Sequence, residues 1–276
     1  MKSVKNKILR NDIFWFVLEM VFVLIFIVMI IIIARRFIHQ ASISYEEHSA
    51  AVTMQKSEQT DTIDPYASKS DSTSASPVIQ PEIAELQKQN PDAVGLLHFE
   101  GDRTLYVCQT TDNSYYKSHR FDGSEDPAGM IYMDYRNKLS PRSDNIILYG
   151  HNMRDGSRFG TLKRFEKKEY LKRYPIFQFD GLYETVNYVP FAIFHTTVLP
   201  YESNYFAFDQ IDFENIEEYS QFIRNVKSRS VLDIPVDVSY GDKLLTLVTC
   251  YSRLERGRLI IICREVKACE DCLFPY

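Results

Sequence analysis

The sequence predicts a mainly β domain, a closed barrel or a sandwich, set behind one membrane-spanning helix and a flexible stalk. Three observations carry this. Eight short runs rich in β-branched and aromatic residues follow one another between Leu96 and Val266, separated by turn-forming clusters such as Asp122-Gly123-Ser124. An apolar run from Ile13 to Ala34 is long enough to cross a bilayer, which takes roughly 20 residues as a helix. From Gln40 to Pro81 the chain is rich in Ser, Thr, Gln, Asp and Glu, with few large apolar residues, and residues 68–76 are nearly pure polar linker.

Taken in order, the N-terminal segment 1–12 carries Lys2, Lys5, Lys7 and Arg10. This basic excess is expected to keep it in the cytoplasm and to send the bulk of the chain outside. The anchor is expected over 13–34. It contains Glu19, placed about a turn or two from the interface, where a carboxylate is tolerable. A cleaved leader would show a shorter apolar core and a small-residue cleavage site. Arg35-Arg36-Phe37-Ile38-His39 follows instead, so a retained anchor is expected. Residues 35–80 read as a stalk, and 81–276 as the folded domain.

Within that domain a short helix should begin at Pro81, with Ile83 and Leu86 at helical spacing, and end before Pro91. Strands are expected at Leu96–Phe99, Thr104–Gln109, Met130–Asp134, Asn145–His151, Ile176–Phe179, Thr185–Thr197, Leu244–Cys250 and Arg258–Val266. One or two short helices are expected around Phe159–Tyr174. An amphipathic helix is expected over Asn215–Arg229, where Ile216, Tyr219, Phe222, Ile223 and Val226 mark one face and Asn215 with Glu218 resembles a capping box.

The 276 residues carry a net charge of −5, which argues against a nucleic-acid binder. Five cysteines, an odd number, leave at least one thiol unpaired within the chain. Cys263, inside Leu259-Ile260-Ile261-Ile262-Cys263, and Cys108 read as core residues. Cys269 and Cys272 have CxxC spacing in a polar tail without a second pair, which favours a disulfide or two free thiols over a metal site.

Cys250 stands apart, because the apolar run Leu244–Val248 delivers it to a strand's exit. Acyl transfer through a thiol needs a thiolate, a proton donor for the leaving amine and an oxyanion stabiliser. Among six histidines, His39 and His48 fall in the stalk, and His98, His119 and His195 sit in ordinary strand or loop contexts. His151 ends a strand and enters the Gly- and Asn-containing loop Asn152–Gly156, where a ring is both fixed and accessible. Arg258 opens the strand after Cys250, so a hairpin would set the two face to face. Its guanidinium stays charged at working pH and favours thiolate. Arg253 and Arg256 in the intervening loop are rivals.

Thr246-Leu247-Val248-Thr249-Cys250 resembles the TLxTC signature of the sortases, transpeptidases that attach proteins to Gram-positive cell walls. Tyr149-Gly150-His151-Asn152-Met153 is similar to the segment around their catalytic histidine, and Arg258 matches the position of their catalytic arginine. The anchor, stalk and β-rich domain occur in the sortase order. The resemblance runs from about Pro81 to Val266 and is greatest to class B, through Asn90–Gly95, Asp112–Tyr116, Ala128–Asn137 and the helix Asn215–Arg229. Leu97, near where the family often has tryptophan, Cys108 in place of an aliphatic, and the tail after Val266 depart from the pattern.

The resemblance implies a closed eight-stranded barrel with an N-terminal helix and the inserted amphipathic helix. It implies that Cys250 attacks the Thr carbonyl of a sorting motif of the Asn-Pro-x-Thr type. His151 would protonate the leaving amine and Arg258 support the oxyanion, with oxyanion or substrate contacts from Thr249, Asn152 and Tyr149. It implies no metal and no cofactor. The partners would be sorting-signal-bearing surface or pilin proteins and an amine of the peptidoglycan precursor or cross-bridge, met on the outer face of the cell membrane. Two alternatives stand beside it. One is a pilus-assembling enzyme that uses a pilin lysine; Asp64-Pro65-Tyr66 has the form of its lid motif, but it lies well upstream of the barrel within polar linker and is read as a coincidence. The other is a membrane-tethered binding domain without activity.

Overall fold

The computed structural model describes residue 18, residues 20–35 and residues 77–267. The basic tail, residues 36–76 of the stalk with Asp64-Pro65-Tyr66, and Cys269 and Cys272 lie outside them. The chain divides into two compact units, Met1–Glu46 and Glu47–Tyr276. In the first, residues 20–35 form helix α1, and every side chain from Met20 to Ile33 is apolar and exposed. Among the described residues no helix is long and apolar enough to cross a membrane.

The second unit opens with α2 (Pro81–Gln89), which has Pro in its first turn and buries Ile83 and Leu86 against Leu96 and Tyr106. It ends at Gln89, two residues before Pro91. Asn90 caps it through its backbone N–H, which donates to the Leu86 carbonyl at 2.9 Å, while its side-chain amide donates to the Tyr116 hydroxyl and the Phe121 carbonyl, both at 2.8 Å.

Eight strands follow: β1 (Ala93–Phe99), β2 (Arg103–Cys108), β3 (Ile131–Met133), β4 (Asn145–Tyr149), β5 (Phe177–Gly181), β6 (Thr185–Thr197), β7 (Leu244–Tyr251) and β8 (Gly257–Glu265). They close into one barrel in the order β1-β2-β3-β4-β7-β8-β6-β5, which settles barrel against sandwich. Closure leaves no unpaired sheet edge. β6 is long enough to pair β5 along its first part and β8 over Tyr188–Thr197, and its register shifts between Pro190 and Ala192. A bulge is where a strand tolerates the missing N–H of proline.

The insertion between β4 and β5 forms a 3-10 turn (Leu162–Glu166) and helix α3 (Lys168–Arg173). Helix α4 (Ile216–Arg229) lies between β6 and β7. Its cap differs in one detail from the box read in the sequence. Asn215 accepts from the Glu218 N–H at 3.0 Å, but the Glu218 carboxylate reaches back to the Glu214 N–H at 2.7 Å rather than to the cap residue's own N–H.

Strand alternation decides what faces where. Leu245 and Leu247 of β7, Leu259, Ile261 and Cys263 of β8, and Ile146 and Leu148 of β4 fill the barrel interior. Leu244 and Val248, Ile260 and Ile262, and Ile147 face outward, where α4 covers them with Tyr219, Phe222, Ile223 and Val226. Continuing that alternation puts Cys250, Arg258, Tyr149 and His151 on the outer face and turns Thr249 and Tyr251 inward. A slip of one residue in β7 would turn the thiol into the core.

Candidate active site

β7 lies between β4, its parallel neighbour, and β8, its antiparallel one. The register pairs Cys250 directly with Arg258, a separation of about 5 Å between backbones with side chains on one face. On the other flank Tyr149 pairs with Val248 and the Gly150 N–H donates to the Val248 carbonyl at 3.1 Å, so His151 leaves β4 beside the exit of β7. Cys250 is exposed at the end of a strand buried from Leu244 to Thr249. The thiol is thus carried on a rigid strand and open to solvent.

Two hydrogen bonds tie the exits together. The Thr249 hydroxyl donates to the Gly150 carbonyl at 2.8 Å, and the Asn152 amide donates to the Cys250 carbonyl at 2.9 Å. Gly150 has no room for a side chain, since a Cβ there would stand 2.8 Å from the Phe159 ring. Thr249 is 2% exposed and its hydroxyl proton is engaged by Gly150, while Asn152 reaches the site through the backbone of Cys250.

Arg258 is half-buried, and one guanidinium nitrogen, Nη1, donates to the carbonyls of Gly257 at 2.9 Å and Arg256 at 3.2 Å. The hairpin that presents the arginine therefore also holds it, with donors left over for a ligand. Arg253 and Arg256 are exposed and do not line the cleft. His195 and His98 are engaged elsewhere. His195 bonds Glu166 at 3.1 Å and stacks on Tyr251, and His98 bonds Thr104 and Asp180 at 2.8 Å each.

Cys250, His151, Arg258, Thr249 and Tyr149 all line one open cleft of about 530 Å³, within the usual range for a ligand site. Tyr132 and Tyr149 stack across β3 and β4, their ring centres 5.3 Å apart. Burial pushes both phenols well above their ordinary range. The Arg258 charge opposes this at Tyr132, and the Asp134 carboxylate adds to it at Tyr149. Both rings are therefore neutral donors at working pH. The opposite wall, Tyr205–Asp209 in the β6–α4 connection, was not foreseen. Its shape is set by Thr196, which receives the Phe206 N–H at 2.9 Å, and by Phe206 packing on Phe194 and Phe222. The aromatic density of Tyr201–Phe208 was its sequence signal.

Asp134, fully buried, joins the two sides. It accepts a two-point bond from Arg136 (2.9 Å each), the Tyr149 hydroxyl (3.0 Å) and the Asn113 amide (3.0 Å), while Arg136 reaches on to Asp209 at 3.2 Å. Burial alone pushes this carboxyl up, but the bonds from the Arg136 side chain and backbone outweigh it and hold it below its ordinary value. A carboxyl depressed on folding stabilises the fold above its unfolded pKa, about 3.9, and loses that contribution as pH falls through its lower folded value. Asp134→Asn is expected to cost about 1–3 kcal/mol at neutral pH. The gap from wild type should close below about pH 4, read by urea unfolding across pH. A gap independent of pH would refute the ionic role.

A thiol acyltransferase is the class of protein that this barrel and this cleft define. No protein-family model matches the chain. Sortase B of Listeria monocytogenes is 32% identical over 199 residues, 71% of this chain and 78% of the relative. Sortase B of Staphylococcus aureus is 32% identical over 193 residues, 68% and 76%. A solved S. aureus sortase B–substrate complex superposes with a TM-score of 0.62 at 29% identity, covering 69% of this chain and 87% of that one. The chain belongs to the sortase B family and is a cysteine transpeptidase.

Proposed function

We propose that this sortase is held in the cell membrane by one helix over 13–34, with its N-terminus in the cytoplasm and residues 81–276 on the outer face beyond the stalk. It cleaves an Asn-Pro-x-Thr-like sorting motif after Thr and passes the acyl group to an amine of the cell-wall peptide cross-bridge. The observation that carries the chemistry is the pairing of Cys250 with Arg258 across β7 and β8 beside the exit to His151. The anchor reading rests on α1, whose side chains from Met20 to Ile33 are apolar on every face and exposed. Such a helix suits lipid better than water.

In this reading the Cys250 thiolate adds to the Thr carbonyl, and Arg258 donates to the oxygen that becomes negative. The C–N bond then breaks as His151 gives a proton to the departing amine, leaving a thioester on Cys250. An incoming amine reverses the sequence: the new C–N bond forms, His151 takes the amine's proton and the C–S bond breaks. Calling the substrate a sorting peptide draws support from the S. aureus relative, solved as a substrate complex.

The test is a fluorogenic Asn-Pro-x-Thr peptide library with and without an oligoglycine amine, run on the full-length chain in detergent. Amine-dependent ligation product is expected. A silent enzyme whose Cys250 still alkylates rapidly would overturn the motif, and a silent enzyme with an inert Cys250 would overturn the catalytic centre.

A further inference from the structure

Among the described residues the His151 ring is held at one nitrogen. Its Nε2 lies 2.8 Å from the backbone carbonyl of Lys117. A carbonyl oxygen has lone pairs and no proton, so Nε2 must be the donor. The hydrogen bond made by one ring nitrogen decides the state of the other. We propose that the Lys117 carbonyl, kept in place by Gly129, locks His151 as its Nε2–H tautomer and so assigns the reacting proton to Nδ1. The proposal rests on the catalytic role given to His151 above and adds which atom performs it and what positions that atom.

The carbonyl is presented by a 3-10 turn, Tyr115–Lys117, in the β2–β3 connection. Asp112 fastens the start of that turn, its Oδ1 accepting from the Ser114 N–H at 2.5 Å and the Tyr115 N–H at 3.0 Å. These Ser114 bonds, from hydroxyl and N–H, also hold the Asp112 carboxyl below its ordinary value. On the inner side the Met130 N–H donates to the Tyr116 carbonyl at 2.9 Å, clamping the turn onto the chain that enters β3.

Gly129 is what permits that approach. Its φ is +51°, in the left-handed region, and a Cβ there would overlap the Tyr116 carbonyl oxygen and stand 2.7 Å from the Lys117 oxygen. Any other residue at 129 must push away the carbonyl that holds His151. The backbone of His151 is fixed from the other side, where its own carbonyl accepts from the Phe159 N–H at 3.0 Å. Lys117 and Gly129 therefore act as positioning residues, through backbone alone.

The arrangement fits both halves of the reaction without moving the ring. In the imidazolium, Nδ1–H goes to the departing amine as the C–N bond breaks, and Nε2–H stays on Lys117. The neutral ring that remains is already the Nε2–H tautomer, with its lone pair on Nδ1 ready for the proton of the attacking amine. Nε2 exchanges no proton at any step.

The test reads the tautomer directly. The full-length chain, labelled with ¹⁵N-histidine and assigned with His151→Gln, is examined by NMR at a pH where the ring is neutral and without substrate. The wild type is expected to show His151 protonated at Nε2. Gly129→Ala is expected to show mixed tautomers, with kcat lower by about 10²-fold, KM little changed and Cys250 still alkylated. An Nδ1–H tautomer in the wild type overturns the proposal, as does a Gly129→Ala protein that stays purely Nε2–H while kcat falls. Where Gly129→Ala does not fold, methylhistidines at 151 decide. Nε2-methyl, which gives up the bond to Lys117 but leaves Nδ1 free to carry the proton, should keep more turnover than Nδ1-methyl, which blocks the reacting atom, and the reverse order refutes the assignment. A wrong sorting motif would leave the tautomer result standing, whereas full activity in His151→Gln would remove the catalytic role and leave the tautomer intact.

Discussion

Cys250→Ala is expected to lower kcat/KM by about 10⁴-fold or more, as loss of a nucleophile does in other acyl-transfer enzymes, with the fold unchanged. Both halves of that expectation come from where alternation puts the residue. Cys250 is exposed on the outer face, so trimming it removes no core contact, and stability should stay within about 0.5 kcal/mol of wild type. Cys108 and Cys263 are both fully buried, and burial pushes the Cys263 thiol far up. Reactivity follows thiolate character and exposure. In a background with Cys269 and Cys272 replaced by Ser, a short pulse of alkylating probe should label Cys250 alone. Label on Cys108 or Cys263, or retained turnover in Cys250→Ala, would contradict the assignment of the nucleophile.

How far the site could be read in advance follows from how local each feature is. The strands were legible because each is a short β-branched or aromatic run closed by turn residues, and even β6 could be read through its Pro190, which the barrel accommodates at a bulge. Cys250 and Arg258 were legible because they sit at the two ends of one hairpin, and that register follows from a short loop. His151 beside them depends on β4 lying parallel to β7, strands separated by nearly a hundred residues, and only its Gly- and Asn-bearing loop hinted at exposure. The Thr249 bond to Gly150 was hidden for the same reason. Nothing within β7 indicates that its hydroxyl meets Gly150 across the sheet. The aromatic density of the β6–α4 connection was the one signal of the cleft wall at Tyr205–Asp209, but its course is set by Thr196 and Arg136, contacts that no propensity or period encodes.

Arg258→Lys separates charge from geometry at the oxyanion and is expected to lower kcat by about 10²- to 10³-fold, the loss typical of one oxyanion donor. The substitution keeps the positive charge opposite Cys250, so any benefit of a cation to the thiolate survives, and alkylation of Cys250 should proceed at close to the wild-type rate. What it removes is the division of labour within the guanidinium. Nη1 is spent on the Gly257 and Arg256 carbonyls, which fixes the plane of the group and leaves the remaining donors for the substrate. An ammonium on a flexible stem cannot hold two hairpin carbonyls and an oxyanion at once. Steady-state kinetics with the preferred peptide, set beside alkylation rates, distinguishes the outcomes. A fall in kcat with unchanged alkylation assigns Arg258 to the transition state. If lysine supports turnover within a few-fold of wild type, the residue acts only through its field. Parallel losses of kcat and alkylation would instead make the guanidinium a determinant of the thiolate itself, and the oxyanion would then need its donors from backbone N–H groups at the β7 exit.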